Sequence, residues 1–192
     1  MPDRNQAALD FLLSRRSRPA KTLVAPAPTR ADLDLILTAA ARSPDHGKLE
    51  PWRFIVIQQG AMARLSDLTR ARGAALGKTE EDIAKGCSQF DQGLLAVAVI
   101  ETQIPSPKIP AIEQTYSAGA VCLALLNAAL ASGWGANWLS GWISHDRAFC
   151  EQGLDLAEHE RIAGFVHIAT EGTRPPERPR PNLEEITQWV SE

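Results

Sequence analysis

The first group of side chains able to bind a charged ligand lies near the N-terminus, at Arg15, Arg16 and Ser17. Two guanidinium groups and a hydroxyl can donate several charge-assisted hydrogen bonds, and arginine matches the geometry of a phosphate better than lysine does. The alternative is an ordinary helix terminus whose charged side chains are solvated. The pattern alone leaves both interpretations open.

A second polar group surrounds His46, with Arg42 shortly before it and Lys48 shortly after it. These residues lie in or next to a loop bounded by Pro44 and Pro51. A histidine near two cations can meet an anionic or electron-rich heterocycle. A surface histidine with an ordinary hydrogen bond fits the same pattern. No second histidine lies at metal-ligand spacing, so we expect no zinc site and no other metal.

The third group, Trp138, Leu139 and Ser140, follows a glycine-rich turn at residues 133–135. Small residues let backbone N–H groups approach a flat ligand, and tryptophan can form a wall of its site. The competing interpretation places the tryptophans in the core. The turn does not match the G-x-G-x-x-G signature, so a dinucleotide site of the Rossmann type is not supported.

The sequence contains no signature of a catalytic nucleophile or of an acid–base pair. Neither G-x-S-x-G nor H-E-x-x-H occurs, and no paired carboxylates stand in a clear loop context. Glu113 stands alone at the start of a helix, where we expect its charge to favour the helix dipole. We therefore expect no catalytic side chain. Either the protein is not an enzyme, or a bound cofactor carries the reaction.

Length and composition exclude several classes of protein. The chain has 192 residues, which fits one domain, and its net charge of −3 lacks the basic excess that nucleic-acid binding requires. Cys87, Cys122 and Cys150 are widely spaced, so we expect buried thiols in a reducing compartment. No apolar segment follows the charged N-terminus, so we predict no signal peptide and a cytoplasmic protein.

Hydrophobic periodicity predicts the elements that carry these groups. A capping box at residues 29–32 opens a helix that Pro44 stops. The other predicted helices cover 6–16, 61–72, 79–85, 115–131 and 146–152, the last introduced by Ser144. Strands or extended segments are predicted over 52–57, 94–100, 136–142 and 162–170. Helices and strands mix without strict alternation, which indicates an α+β or α/β class with one sheet between helices.

The helix over 115–131 is apolar on nearly all sides and rich in alanine. It lies within the stretch 114–145, which contains no Asp, Glu, Lys or Arg. A membrane span needs about 20 apolar residues, but Asn127 interrupts the run and residues 132–135 end it early. We therefore predict a central core helix and no membrane partner, with small residues that suit packing at a subunit interface.

Taken together and in this order, these features resemble the nitroreductase family of FMN-dependent flavoproteins. The resemblance rests on the helix ending in Arg15-Arg16-Ser17, on segments 41–44 and 50–57, and on the long helix followed by residues 133–135. It covers roughly residues 7–170. The Pro-Asp-His loop and the short chain resemble a compact bacterial subgroup of NAD(P)H nitroreductases.

The resemblance implies an α+β fold, a three-layer α/β/α sandwich whose central mixed sheet is flanked by helices. It fits a single domain over residues 1–192, which the chain length predicts, with residues 172–192 as the extended C-terminal arm that the dense prolines predict. It also implies a homodimer with two FMN sites at the subunit interface. The sequence pattern alone does not give the three-layer sandwich, the homodimer or the FMN sites at the interface.

The resemblance also assigns the residues that would bind the cofactor. Arg15-Arg16-Ser17 would contact the phosphate and the ribityl chain of one FMN, and Trp138-Leu139-Ser140 would line the same flavin. Arg42 and His46 would reach the flavin of the other subunit. No side chain is assigned a catalytic role.

Several positions depart from the family pattern. Lys48 stands where larger relatives often carry an asparagine, and Asp45-His46 replaces a serine pair common in those relatives. Leu139 stands where some subgroup relatives have an arginine. Arg180 lies where many relatives place a further phosphate contact, but the alignment there is too loose to assign it.

The implied activity is hydride transfer from NADH or NADPH through flavin N5 to a nitroaromatic, a quinone or a similar conjugated small-molecule acceptor, in a ping-pong cycle. The cofactor would carry the chemistry, which accounts for the absence of a catalytic side chain. Two alternatives remain open. One is a flavin-binding protein without turnover, in storage or sensing, and the other is a helical module without flavin that uses helix 115–131 only to dimerise.

Overall fold

Helices surround a single sheet in the structure, a computed structural model that describes residues 3–192. The helices are α1 (Gln6–Ser14), α2 (Arg30–Ala40), α3 (Gln59–Ala75), α4 (Glu80–Asp91), α5 (Ala111–Ala131), α6 (Arg147–Leu154) and α7 (Leu183–Ile186). The strands are β1 (Leu23–Val24), β2 (Trp52–Gln58), β3 (Leu95–Thr102), β4 (Gly135–Leu139) and β5 (Glu160–Glu171). Three short 3-10 helices cover Ala20–Thr22, His46–Lys48 and Trp142–His145.

The long strand β5 organises the sheet. It pairs with β3 on one side and with β4 on the other, and its C-terminal end pairs with β1. Strand β2 pairs with β3 and lies at the edge of the sheet. The α+β class and the layers of the fold are therefore as predicted.

The direction of the strands differs from the expected mixed sheet, because every pairing within residues 3–192 is antiparallel. The connections explain the difference. The helical hairpin α3–α4 returns the chain so that β3 runs antiparallel to β2. Helix α5 crosses over and makes β4 parallel to β3, but β5 lies between these two strands, so they never pair.

Apolar side chains fill both faces of the sheet. One layer packs α2 and α5 against the sheet through residues that include Leu33, Ile36, Val121, Leu125, Val166 and Ile168. The other packs α3, α4 and α6 through residues that include Leu65, Phe90, Phe149 and Phe165. Strand β3 is buried on both faces, as its continuous apolar sequence predicts. The cysteines are free and buried, also as predicted.

Most predicted elements occur in the structure with shifted ends. The capping box of α2 is present, with Thr29 and Asp32 bonded reciprocally. Helix α1 ends at Ser14 rather than at residue 16, so the two following arginines leave the helix. Asp146 rather than Ser144 caps α6, because its carboxylate accepts the N–H of Phe149. Strand β1 had no counterpart in the sequence analysis, since two residues carry no periodicity.

Helix α5 is long and apolar enough to cross a membrane by length and composition, but it lies in the core of this fold. One side of it is buried against the sheet and α2. Its other side exposes a stripe that contains Ile112, Tyr116 and Leu123. Helix α1 has no buried residue at all, so these surfaces are apolar areas that the single chain leaves uncovered.

Candidate cofactor site

The N-terminal arginines lie beside strand β4. The chain leaves α1 at Arg15 in an extended conformation, and the backbone N–H of Arg18 donates to the carbonyl oxygen of Ala136, at 2.8 Å. Residues 15–17 are partly buried rather than freely solvated. This single backbone contact brings together two of the three sequence groups, those around residues 15–17 and 138–140.

Arg15, Arg16, Arg18 and Arg180 form an arginine cluster at this place. The Nη2 of Arg15 donates to the hydroxyl of Ser17 at 3.1 Å, whereas its Nε is buried and has no partner among residues 3–192. Burial lowers the pKa of Arg15, and the positive charges of Arg180, Arg16 and Arg18 lower it further. The cluster therefore carries uncompensated positive charge around a buried donor.

The C-terminal arm completes this cluster. The carbonyl oxygen of Pro176 accepts from Nε of Arg16 at 3.3 Å, and Arg180 lies close enough to lower the pKa of Arg15. Arg18 pairs with Glu171 and Arg180 pairs with Glu177. Arg15 and Arg16 form no ion pair within residues 3–192, so their charges remain available to an anion.

Trp138 and Leu139 end strand β4, and Ser140 follows it. Trp138 is 37% exposed and lies over Gly164 of β5, where an added Cβ would clash with the indole Nε1. A side chain at position 164 would thus displace the indole. Leu139 is half-buried opposite Phe165, and Ser140 is exposed just beyond the strand. Trp134, in contrast, packs against the core, so the core interpretation holds for that tryptophan.

The His46 loop, residues 44–51, is held in a defined conformation. Helix α5 fixes its start, because the hydroxyl of Ser117 donates to the carbonyl oxygen of Pro44 at 2.9 Å. Within the loop, a carboxylate oxygen of Asp45 accepts the N–H of Leu49 at 2.7 Å. Gly47, Lys48 and Glu50 all have positive φ angles, of 75°, 56° and 49°. This conformation costs a non-glycine residue about 1–2 kcal/mol, so the contacts with α5 hold a strained loop.

His46 pairs with a carboxylate that the sequence analysis had assigned only to the helix dipole. The Nδ1 of His46 lies 2.7 Å from Oε2 of Glu113, in the first turn of α5. A cavity of about 340 Å³ opens beside this pair and is lined by Pro44, Asp45, His46, Glu113, Tyr116, Ser117 and Ala120. Arg42 is exposed at the end of α2, and its side chain has no hydrogen bond within residues 3–192.

In the structure, the predicted site residues form two groups that lie apart from each other. The arginine cluster and β4 form one, and the His46 loop with α5 forms the other. No hydrogen bond or ion pair connects them within the described chain. The sequence analysis missed Glu113 and Ser117 as members of the second place, although their spacing of four residues puts them on one face of a helix.

Among residues 3–192, no group of three or more His, Cys, Asp or Glu side chains could hold a metal ion. The candidate site is therefore made of cations, hydroxyls, aromatic rings and one histidine–carboxylate pair. Such a set suits an organic ligand that combines a phosphate with a flat heterocycle.

Comparisons with known proteins agree on one family. The model of the "Nitroreductase family" matches residues 12–170. The chain is 33% identical over 163 residues to "Putative NAD(P)H nitroreductase YdjA" of Escherichia coli (strain K12), with 85% of this chain and 87% of that protein covered. It is 34% identical over 165 residues to "Putative NAD(P)H nitroreductase" of Haemophilus influenzae, with 85% and 88% covered.

Two solved structures illustrate the similarity of the fold. The first is a nitroreductase-like family protein from Bacillus cereus, with a TM-score of 0.80, 23% identity and coverage of 99% of this chain and 98% of that one. The second is "a putative nitroreductase in complex with fmn" from Desulfovibrio desulfuricans, with a TM-score of 0.75, 19% identity and coverage of 98% of this chain and 99% of that one. At these identities the structural likeness concerns the fold.

Proposed function

The chain belongs to the nitroreductase family, and from this premise we propose that it is an FMN-dependent oxidoreductase. It takes hydride from NADH or NADPH and passes it to a nitroaromatic, a quinone or a similar conjugated acceptor, in a ping-pong cycle. Its relatives from Escherichia coli and Haemophilus influenzae carry the name of NAD(P)H nitroreductases, which supports the choice of donor.

The arginine cluster is the observation that carries this proposal. Within residues 3–192, it combines a buried Nε of Arg15 that lacks a hydrogen-bond partner with two guanidinium groups, those of Arg15 and Arg16, that form no ion pair. A phosphate would supply the missing acceptor and offset the burial and the charge repulsion that together lower the pKa of Arg15. The residues present therefore fit the ribityl phosphate of FMN, with Ser17 as a further donor and Arg180 from the arm beside it.

Each protein group has a binding or orienting role in this proposal. Arg15, Arg16 and Ser17 hold the phosphate and the ribityl chain, and Trp138, Leu139 and Ser140 line the ring. Arg42 and His46 reach the ring of the neighbouring subunit. FMN, when bound, supplies the hydride chemistry, so these side chains need only orient the reactants, which accounts for about 7–11 kcal/mol in well-oriented reactions.

A homodimer follows from the same proposal. The exposed stripe of α5, the uncovered α1 and the apolar residues of the C-terminal arm are surfaces that a second copy would bury. Residues 172–192 act as an arm of one domain that spans residues 1–192. The separation of the His46 loop from the arginine cluster also fits a site shared between two subunits. The three buried free cysteines fit a reducing compartment such as the cytoplasm.

Reduction of the purified protein tests this function. We expect a yellow protein whose flavin absorption bleaches when NADH or NADPH is added without oxygen, and recovers when a quinone or nitroaromatic follows. A protein that stays yellow under both nicotinamides would support the alternative of flavin binding without turnover. A colourless protein that cannot be reconstituted with FMN would overturn both.

A further inference from the structure

The contact between His46 and Glu113 determines which ring nitrogen of the histidine remains free. The Nδ1 of His46 is 2.7 Å from Oε2 of Glu113, and this is the only hydrogen bond of the imidazole among residues 3–192. An ionised carboxylate can only accept hydrogen bonds, so the hydrogen must reside on Nδ1. In the neutral ring, Nε2 then carries a lone pair and accepts.

We propose that Glu113 is a positioning residue that fixes His46 in its Nδ1–H form, so that Nε2 accepts a hydrogen bond from an amide-type N–H of the ligand. The inference rests on the proposed function for the identity of the ligand, but not for the state of the imidazole. Glu113 itself touches no reactant in this proposal. Its effect passes entirely through the ring of His46.

Other contacts hold the backbone of the His46 loop, so Glu113 is not needed for that. The backbone of the His46 loop is already held by Ser117, whose hydroxyl donates to Pro44 and accepts from the indole N–H of Trp52. The imidazole is 62% exposed and would otherwise rotate freely. Glu113 therefore sets the orientation and the hydrogen position of a ring whose backbone is fixed by other contacts.

The cavity beside the pair offers room for a ligand next to His46. Its volume of about 340 Å³ is at the small end of ligand sites, and Tyr116 and Ala120 supply an apolar wall next to His46. Within the proposed function, two groups offer an amide-type N–H, namely the imide of the flavin ring and the carboxamide of the nicotinamide. The shared chemistry is one N–H donor beside a flat ring.

The state of the imidazole can be measured in the protein without flavin. In ¹⁵N-labelled apoprotein, we expect His46 in the Nδ1–H form, and we expect the signals of an Nε2–H or mixed form in Glu113→Ala. Glu113→Gln should keep the Nδ1–H form, because its amide oxygen still accepts. Glu81→Ala is the matched control, since Glu81 also lies in the first turn of a helix but bonds to no side chain. An unaltered spectrum in Glu113→Ala would overturn the proposal.

Binding and kinetics then distinguish the two sources of the N–H. If the flavin supplies it, Glu113→Ala weakens FMN binding to apoprotein roughly 3- to 10-fold and Glu113→Gln restores it. If the nicotinamide supplies it, FMN affinity is unchanged and KM for NADH or NADPH rises by a similar factor at constant kcat. If neither quantity changes, the assignment of a ligand to Nε2 is wrong.

A second substitution separates positioning from a structural role. In a protein that already carries His46→Ala, Glu113→Ala should have no further effect on FMN affinity or on KM. A persistent effect in that background would overturn the proposal, because Glu113 would then act without the histidine. Failure of the protein to bind FMN at all would contradict the proposed function, whereas the imidazole spectrum would still decide the role of Glu113.

Discussion

At the scale of single residues, the arginine cluster holds like charges close together, and their repulsion destabilises the free protein unless an anion binds there. Arg15 and Arg16 have no carboxylate partner within residues 3–192, and burial together with neighbouring cations lowers the pKa of Arg15. Removing one of these charges should therefore relieve repulsion in the free protein. It should harm only a state in which an anion is bound.

This reasoning gives a prediction for Arg15→Ala. A hydrogen bond to a charged group contributes about 1.5–3 kcal/mol, so FMN affinity should fall roughly 10- to 150-fold. The melting temperature of the apoprotein should stay the same or rise, because the lost side chain is repelled there. Fluorescence titration of apoprotein with FMN and thermal unfolding measure the two quantities.

Arg70→Ala is a suitable control for that experiment. Arg70 is an exposed arginine of α3 whose side chain forms no hydrogen bond or ion pair within residues 3–192, so its loss changes the net charge equally without removing such a bond. The control should bind FMN as the unmodified protein does. Unchanged FMN affinity in Arg15→Ala, or equal losses in both variants, would contradict the assignment of the phosphate to this cluster.

At the residue scale, sequence reasoning identified cations and a histidine but not their partners. Arg15 and His46 stood out because of their types and neighbours, and the resemblance to a family supplied their roles. Glu113 is 67 residues away from His46 in the chain, so no local pattern links them. Arg180 is a similar case, because only the path of the C-terminal arm brings it near Arg15.

At the scale of elements, the apolar pattern predicted which segments form helices and strands. It did not predict the residues at which these elements begin and end. The alternation and the apolar runs predicted β2, β3, β5 and the buried α5, because burial dictates these sequences. Helix ends depend on competing caps, so Asp146 could displace Ser144 as the cap of α6 without any change of pattern. Strand direction depends on connections between distant segments, which local sequence does not encode.

One ion pair ties elements of the sheet together and makes stability depend on pH. Arg53 of β2 donates to both carboxylate oxygens of Glu160 of β5, at 2.6 and 2.7 Å, across the intervening β3. This hydrogen bond from Arg53 is the largest cause that lowers the pKa of Glu160 to about 2, and burial opposes it. In the unfolded chain the pKa of a glutamate is about 4.5.

The depressed pKa determines the direction of the effect. The ion pair contributes its full stability above about pH 4.5 and loses it as the pH falls towards 2, because the unfolded chain takes up the proton first. Glu160→Gln should therefore lower the free energy of unfolding at pH 7 by about 1–2 kcal/mol, a value reduced for the half-exposed Arg53. The difference from the unmodified protein should shrink as the pH falls from 5 to 2.

Urea unfolding at a series of pH values measures this difference. Glu158→Gln serves as the control, since Glu158 is exposed and close in sequence, but its side chain forms no hydrogen bond within residues 3–192. The control should follow the unmodified protein at every pH. A constant gap between Glu160→Gln and the unmodified protein from pH 7 to 2 would show that the stabilisation has another origin.

At the scale of the whole molecule, the uncovered apolar surfaces and the two separate halves of the candidate site have one common explanation. Leu123 is 45% exposed and Tyr116 is 68% exposed on the outer stripe of α5, beside the cavity at His46. If a second copy covers this stripe, its arginine cluster can meet the His46 loop of the first. Assembly and FMN binding should then be coupled, because each site needs both chains.

The substitution Leu123→Glu tests this coupling by placing a charge in the proposed interface. Burying an unpaired carboxylate costs several kcal/mol, so the variant should become a monomer and lose most of its FMN affinity although residues 15–17 are intact. Sedimentation and flavin content of the same sample measure both effects. Leu76→Glu is the control, since Leu76 is 49% exposed at the end of α3 and should leave the dimer and its flavin unchanged. A monomer that binds FMN normally would show instead that one chain holds the complete site.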